Sequence, residues 1–320
     1  MAVDDFPQLD RRFFLTTAAA ATGAVLLPHG RASAAPIARA ARLAATSVCF
    51  RRWFPQAWPI GGGSGRERRL DLLGFPAFLS GELGIANVEV WAPHFATHDL
   101  SYAAQLREAA DKAGTRICNI QLDQLPYDLS EPDVWARAHA IEYVKGWIDR
   151  AAILGCPSVR PQTDNGTRGR PFDPKSIGFA FHQLAEYGRE KGVAVLVENH
   201  GGFSRSIPNV LEIVTAANDT NCRTLSDWGN SNAKDTAGRI AELALMFPKL
   251  GLVSAKGLHF DATYRHVEYD IGAIVAATER SGFRGLYSIE LYVDGPDQPK
   301  DPIRAVRAMA DAISGHLAAG

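Results

Sequence analysis

The run Val193-Ala194-Val195-Leu196-Val197-Glu198-Asn199-His200-Gly201-Gly202 constrains the fold of this chain more than any other. Five apolar residues, ended by a carboxylate, an amide, an imidazole and two glycines, read as a strand buried on both faces. Its C-terminal end then opens into a polar turn. The pattern recurs twice downstream. Cys222-Arg223-Thr224-Leu225-Ser226 ends in Asp227-Trp228-Gly229-Asn230, and Leu286-Tyr287-Ser288-Ile289 ends in Glu290. In a parallel barrel three such ends converge on the face where that architecture carries its active sites.

The rest of the chain supplies the alternation such a barrel needs. Strands are expected over residues 45–50, 87–91, 115–122, 158–162, 193–197, 222–226, 251–256 and 286–289. Helical periodicity covers 70–83, 131–154, 174–191, 234–246, 267–281 and 301–317. Two further helices begin with Ser101 as N-cap and with Pro208 in the first turn. Eight strands alternating with eight helices, without a linker, predict a (β/α)8 TIM barrel over residues 45–318. The alternative is an open doubly wound sheet, but no GxGxxG follows any strand. Residues 51–69 hold Trp53, Trp58, five arginines and the run Gly61-Gly62-Gly63-Ser64-Gly65. They read either as a lid over the site or as a solvated insertion.

The first 34 residues are expected to be a removed export signal. Asp10-Arg11-Arg12-Phe13-Phe14-Leu15-Thr16 resembles the twin-arginine motif, residues 17–27 are apolar and alanine-rich, and Ala32-Ser33-Ala34 reads as a cleavage site. A buried N-terminal helix would leave the paired arginines unexplained. The implied location is periplasmic or secreted, and no stretch is long and apolar enough to span a membrane. A net charge of -1 offers no footprint for nucleic acid. The four cysteines lack CxxC or zinc-ligand spacing and read as small buried hydrophobes.

Glu198-Asn199-His200-Gly201-Gly202-Phe203-Ser204, Leu225-Ser226-Asp227-Trp228-Gly229-Asn230, Val253-Ser254-Ala255-Lys256 and Ser288-Ile289-Glu290 together resemble the sugar phosphate isomerase/epimerase family. These are xylose-isomerase-like TIM barrels, and the similarity runs from about Thr46 to the last helix. The resemblance implies one divalent ion held by strand-end Glu, Asp, His and Glu, of which Glu198, Asp227 and Glu290 match three. The histidine position, two residues before the strand-seven lysine, is Ser254 here. Water, His259 or Asn230 is left to complete the shell. The resemblance also implies proton abstraction beside a carbonyl, with Glu198 and Glu290 as the acid–base pair. Lys256 would stabilise an enediolate or orient a hydroxyl. Arg160, Gln162, Asp123 and Glu89 would contact substrate oxygens, with His200 and Asn230 beside them.

The residue types give their own argument for metal. Three carboxylates in one barrel mouth repel one another, and a divalent cation is the ordinary way to hold them ionised. Oxygen-rich ligation favours manganese or magnesium over zinc. The competing reading is a metal-free network in which the acids pair with Lys256, Arg160 and His200. The tryptophans Trp53, Trp58, Trp91 and Trp228 either stack on a sugar face or simply pack. The expected substrate is a sugar, polyol or keto-glycoside, and export argues against a phosphorylated one. A lyase or dehydratase on the same scaffold is the alternative chemistry, and a non-catalytic sugar-binding barrel the alternative class.

Overall fold

A computed structural model describes residues 39–55, 69–167, 169–291 and 300–317. The expected export signal lies outside the described residues, as do residues 56–68, including Trp58 and the glycine run. Eight parallel strands pair in sequence order, and the last returns to the first: β1 (Leu43–Thr46), β2 (Asn87–Trp91), β3 (Arg116–Leu122), β4 (Ser158–Pro161), β5 (Ala194–Glu198), β6 (Cys222–Asp227), β7 (Leu250–Gly257) and β8 (Tyr287–Leu291). The helices are α1 (Phe75–Leu83), α2 (Leu100–Lys112), α3 (Val134–Leu154), α4 (Pro174–Lys191), α5 (Ile207–Ala217), α6 (Thr236–Ala244), α7 (Ile271–Arg280) and α8 (Pro302–Ser314). This is the (β/α)8 TIM barrel that the alternation predicts.

Local chemistry sets the element ends. Asp173 caps α4 through the amides of Lys175 and Ser176, Pro174 occupies the first turn, and Gly192 closes the helix at φ +72. Asp133 and Asp301 cap α3 and α8 in the same way. Such caps explain several starts later than periodicity alone predicts: α3 begins after Asp133, α7 after Asp270, and α1 after a turn in which Asp71 accepts from the Gly74 amide. Ser101 is not an N-cap; α2 already includes Leu100. The first strand also differs. It ends at Thr46, whose hydroxyl accepts from the Val48 amide, and Ser47–Trp53 turns into 3-10 helix. Trp53 there packs against Phe50 and Phe78, and its carbonyl accepts from the Leu70 amide at 2.8 Å. That bond pins together the two ends of the long connection.

The main core lies between the barrel and its helices. The barrel interior is divided. On the β5–β7 side Leu196, Leu225 and Leu252 form a small apolar cluster of their own. On the other side it is polar: Asn119 and Ser288 donate to Glu89, and Ser158 donates to Asn119.

Candidate active site

The three strand-end acids meet. Glu198, Asp227 and Glu290 are buried, and one oxygen from each lies within 4.8 Å of the others. Strand register does this: Asp227 stands beside Ser254, and Lys256 beside Glu290, on neighbouring parallel strands. The Lys256 ammonium lies 2.8 Å from Glu290 and 3.3 Å from Asp227. Its aliphatic stem passes over Gly229, where a Cβ would stand 2.8 Å from the lysine Cδ, which accounts for the glycine in Trp228-Gly229-Asn230. Asn199 holds Asp227 by its backbone, accepting from its amide at 2.8 Å and donating to its carbonyl at 2.9 Å. The Asn230 amide donates to the Asp227 carboxylate at 3.0 Å. Gln121 donates to Glu290 at 2.8 Å and is itself oriented by the Thr46 hydroxyl at 2.6 Å.

A second ion pair flanks the triad. Arg160, fully buried, donates both terminal nitrogens to Asp123, and its Nε lies 2.9 Å from Glu198. Trp91 also donates to Asp123, at 3.0 Å. Burial opposes charge on Asp123, but Arg160 more than offsets it and holds the carboxyl at about 2. Burial pushes Glu198 up to about 7 and Asp227 up to about 8, in each case with repulsion from Glu290 adding to it. Burial acts on Glu290 too, yet Lys256 overrides it and keeps that carboxyl below the usual range.

The residues present fit a divalent cation. Four carboxylates (Asp123, Glu198, Asp227 and Glu290) face two fixed cations, Arg160 and Lys256, so ionising all four without a further cation would leave two negative charges uncompensated, which accords with the raised Glu198 and Asp227. Neither oxygen of Glu198 takes a hydrogen bond from a fixed donor. The donor set is all oxygen, which suits a hard ion. Ser254 faces the same point, with its hydroxyl 3.1 Å from Asp227 and 3.5 Å from Glu290.

Other expected residues are placed differently. Glu89 is not a mouth residue: its carboxylate is sealed inside the barrel, taken by Asn119 and Ser288, two residues below Glu290 on the strand. A register shift between Val88 and Glu89 accompanies this inward placement, and burial raises the carboxyl to about 7. Asp123 accepts from Arg160, and Arg160 also lies against Glu198, so the structure places this pair as a support of the acids. His259 pairs with Glu268 at 2.9 Å on the exposed surface and does not join the triad. Trp228 and Trp91 are buried, the first packed near Tyr287, so neither offers a face to a ligand. Gln162 and His200 do line a cleft at the mouth. Gln121, Thr46 and Asn199 hold the acids, and the sequence reading assigned them no role. The usable signal was inward spacing for Gln121, which precedes Asp123 by two residues; Thr46 gave none, because the apolar run carries the expected first strand on to residue 50.

Beside that cleft, Gly202 sits at φ +56, and a Cβ there would fall 2.0 Å from the Asp164 carboxylate. Asp164 in turn accepts from the Phe203 amide at 2.9 Å, tying the loop after β4 to the loop after β5. Gly202→Ala is expected to cost about 2 kcal/mol, from the left-handed backbone and the displaced hydrogen bond. Urea denaturation measures it; an unchanged midpoint would show that the two loops are not locked here.

Comparisons with known proteins agree with the fold. A comparison with curated proteins finds no match. Among solved structures, an L-ribulose 3-epimerase superposes with a TM-score of 0.66 at 16% identity, covering 86% of this chain and 95% of that one. A D-psicose 3-epimerase from Clostridium cellulolyticum H10, solved with D-tagatose, gives 0.61 at 13% identity over 86% and 96%. A xylose isomerase-like TIM barrel protein from Mycobacterium smegmatis, solved in complex with magnesium, gives 0.61 at 16% identity over 87% and 98%. A family profile described as xylose isomerase-like TIM barrel matches residues 79–313. With the closed barrel and its convergent strand-end acids, that match means that this chain belongs to the xylose isomerase-like TIM barrel family.

Proposed function

We propose that this protein is a divalent-metal-dependent isomerase or epimerase acting on a sugar, polyol or keto-glycoside by proton abstraction beside a carbonyl, and that it is exported by the twin-arginine route. One observation carries the metal: three buried carboxylates offer oxygens within 4.8 Å of one another, more acid than Arg160 and Lys256 can neutralise once all are ionised. Glu198, Asp227 and Glu290 would hold the ion, magnesium or manganese by the hardness of the donors. When bound, it supplies Lewis-acid polarisation of the substrate oxygens. The epimerase and magnesium-bound neighbours support this reading.

The chain's own residues divide the remaining work. Lys256 keeps Glu290 ionised, which suits it to accept a proton. Glu198, raised to about 7 only while no ion is bound, would be ionised as a ligand and so able to take up a substrate proton and return it. Glu198 and Glu290 come from β5 and β8, strands three apart around the closed barrel, which supports giving them the two ends of the proton transfer. Lys256 then stabilises negative charge that develops on a substrate oxygen.

Elemental analysis of purified protein, followed by solvent-deuterium exchange into a panel of sugars, tests the proposal. Stoichiometric metal with exchange into at least one sugar is expected. Sugar affinity without exchange would instead establish a binding barrel.

The acids also set a pH signature. Glu198 and Asp227 have folded pKa values above their ordinary ones, so their contribution to metal-free stability is present at low pH and lost as pH rises through about 7 to 8. Metal replaces those protons and removes the loss. The rise in Tm on adding magnesium or manganese is therefore expected to grow from pH 6 to pH 8.5, reaching about 5 °C. A rise independent of pH would count against ligation by these two groups.

A further inference from the structure

The two glycines after β5 differ in why they are glycine. Gly202 is fixed by its positive φ and by Asp164. Gly201 is extended, at φ -129 and ψ -179, a conformation open to any residue, and a Cβ there would meet no atom within 4 Å. Neither backbone nor packing requires a glycine at 201. What the residue leaves is space. That space belongs to a cleft of about 180 Å3, lined by Gln162, Asn165, Gly166, His200, Gly201 and Ser204 among others.

The cleft stands immediately outward of the acids. Gln162 lies two residues beyond Arg160 and His200 two beyond Glu198, just past the C-terminal ends of β4 and β5. His200 accordingly feels the charges of Asp123, Arg160 and Lys256. Among the described residues the lining is amide, hydroxyl, imidazole and backbone, with no lysine or arginine. Its one carboxylate, Asp164, already accepts from the Thr163 hydroxyl and from the Gly166 and Phe203 amides. Such a surface recognises a neutral, hydroxyl-bearing group and gives a phosphate no counter-charge. At ~30 Å3 for each water displaced, the cleft holds roughly six waters, the room of one saccharide ring. A drug-sized ligand usually fills ~300 Å3 or more.

We propose that the cleft is a subsite for a second sugar ring, covalently joined to the one that reacts at the acids, so that the substrate class is glycosides rather than free monosaccharides. The proposal rests on the isomerase or epimerase reading, which places the reacting ring at Glu198 and Glu290. Gly201 is then a specificity determinant, because any larger side chain there projects toward the linked ring.

The test compares solvent-deuterium exchange into free ketohexoses with exchange into glucosyl-fructose disaccharides whose anomeric carbon is free, using the metal-loaded protein and its Gly201→Ala and Gly201→Leu variants. The expected result is a preference for the disaccharides that falls slightly in G201A and by ~10-fold or more in G201L, the scale on which a few misplaced heavy atoms discriminate between substrates. Circular dichroism and metal content, unchanged in both variants, exclude misfolding. Equal exchange into both sugar classes, or a preference that G201L leaves intact, overturns the subsite while the isomerase or epimerase reading stands. Exchange into no sugar overturns that reading itself, and calorimetry then decides the subsite. Tighter binding of the disaccharides, lost in G201L, supports it; binding indifferent to the second ring overturns it.

Discussion

Asp227→Ala is expected to abolish stoichiometric metal binding and to lower solvent-deuterium exchange on the order of a thousandfold, the scale set by losing one preorganised electrostatic group. The barrel's circular dichroism should persist, because Asn199 grips residue 227 through its backbone amide and carbonyl, which alanine keeps. Lys256 retains Glu290 at 2.8 Å, so no cation is stranded. The same change removes a carboxyl that burial has pushed up to about 8. Above that pH the metal-free variant should therefore be at least as stable as the metal-free parent, a separation of stability from function common at catalytic sites. Full metal occupancy in the variant would refute the ligand assignment.

Arg160→Leu is expected to have the largest effect on stability, about 3–5 kcal/mol, because it leaves Asp123 and Glu198 buried without their counter-charge. The matching double variant Arg160→Leu/Asp123→Leu should recover much of that loss, and the cycle isolates the pair. The sign of the pH dependence follows from Asp123. Its carboxyl is depressed to about 2, so in the parent it contributes stability above its ordinary pKa that disappears as pH falls through about 2. Arg160→Leu has no such contribution to lose, and the gap between parent and variant should narrow from pH 4 downward. Urea midpoints across that range measure it. A constant gap would mean that the arginine acts by packing alone.

The architecture was legible because apolar runs and capping residues are local signals. The runs ending at Glu198, Asp227 and Glu290 mark three strands by composition alone, and Gly192 and Pro174 bracket α4 to the residue. Periodicity sets some starts too early although the signal was there: Asp133, the one preferred cap in Glu131-Pro132-Asp133-Val134, accepts the first amides of α3, while apolar periodicity suggests a start at 131. The convergence of the acids could be read from strand ends, but the charge balance around them could not. Arg160 lies on β4 and Asp123 just past the end of β3, and only barrel register reveals that they pair. Glu89 shows the same limit, since its depth inside the barrel is visible only from its partners Asn119 and Ser288 on neighbouring strands.

The four cysteines, each inside the barrel wall or its helical jacket, have a consequence for where such a protein can operate. Cys49, Cys118, Cys156 and Cys222 are free and buried. Burial raises all four thiols, Cys156 and Cys222 to about 12, so the reactive thiolate is scarce at any physiological pH. Oxidants and disulfide-exchange catalysts attack accessible thiolates, and here the fold offers them none among these residues. No cross-link has to form for the barrel to hold, so its folding does not depend on an oxidising environment.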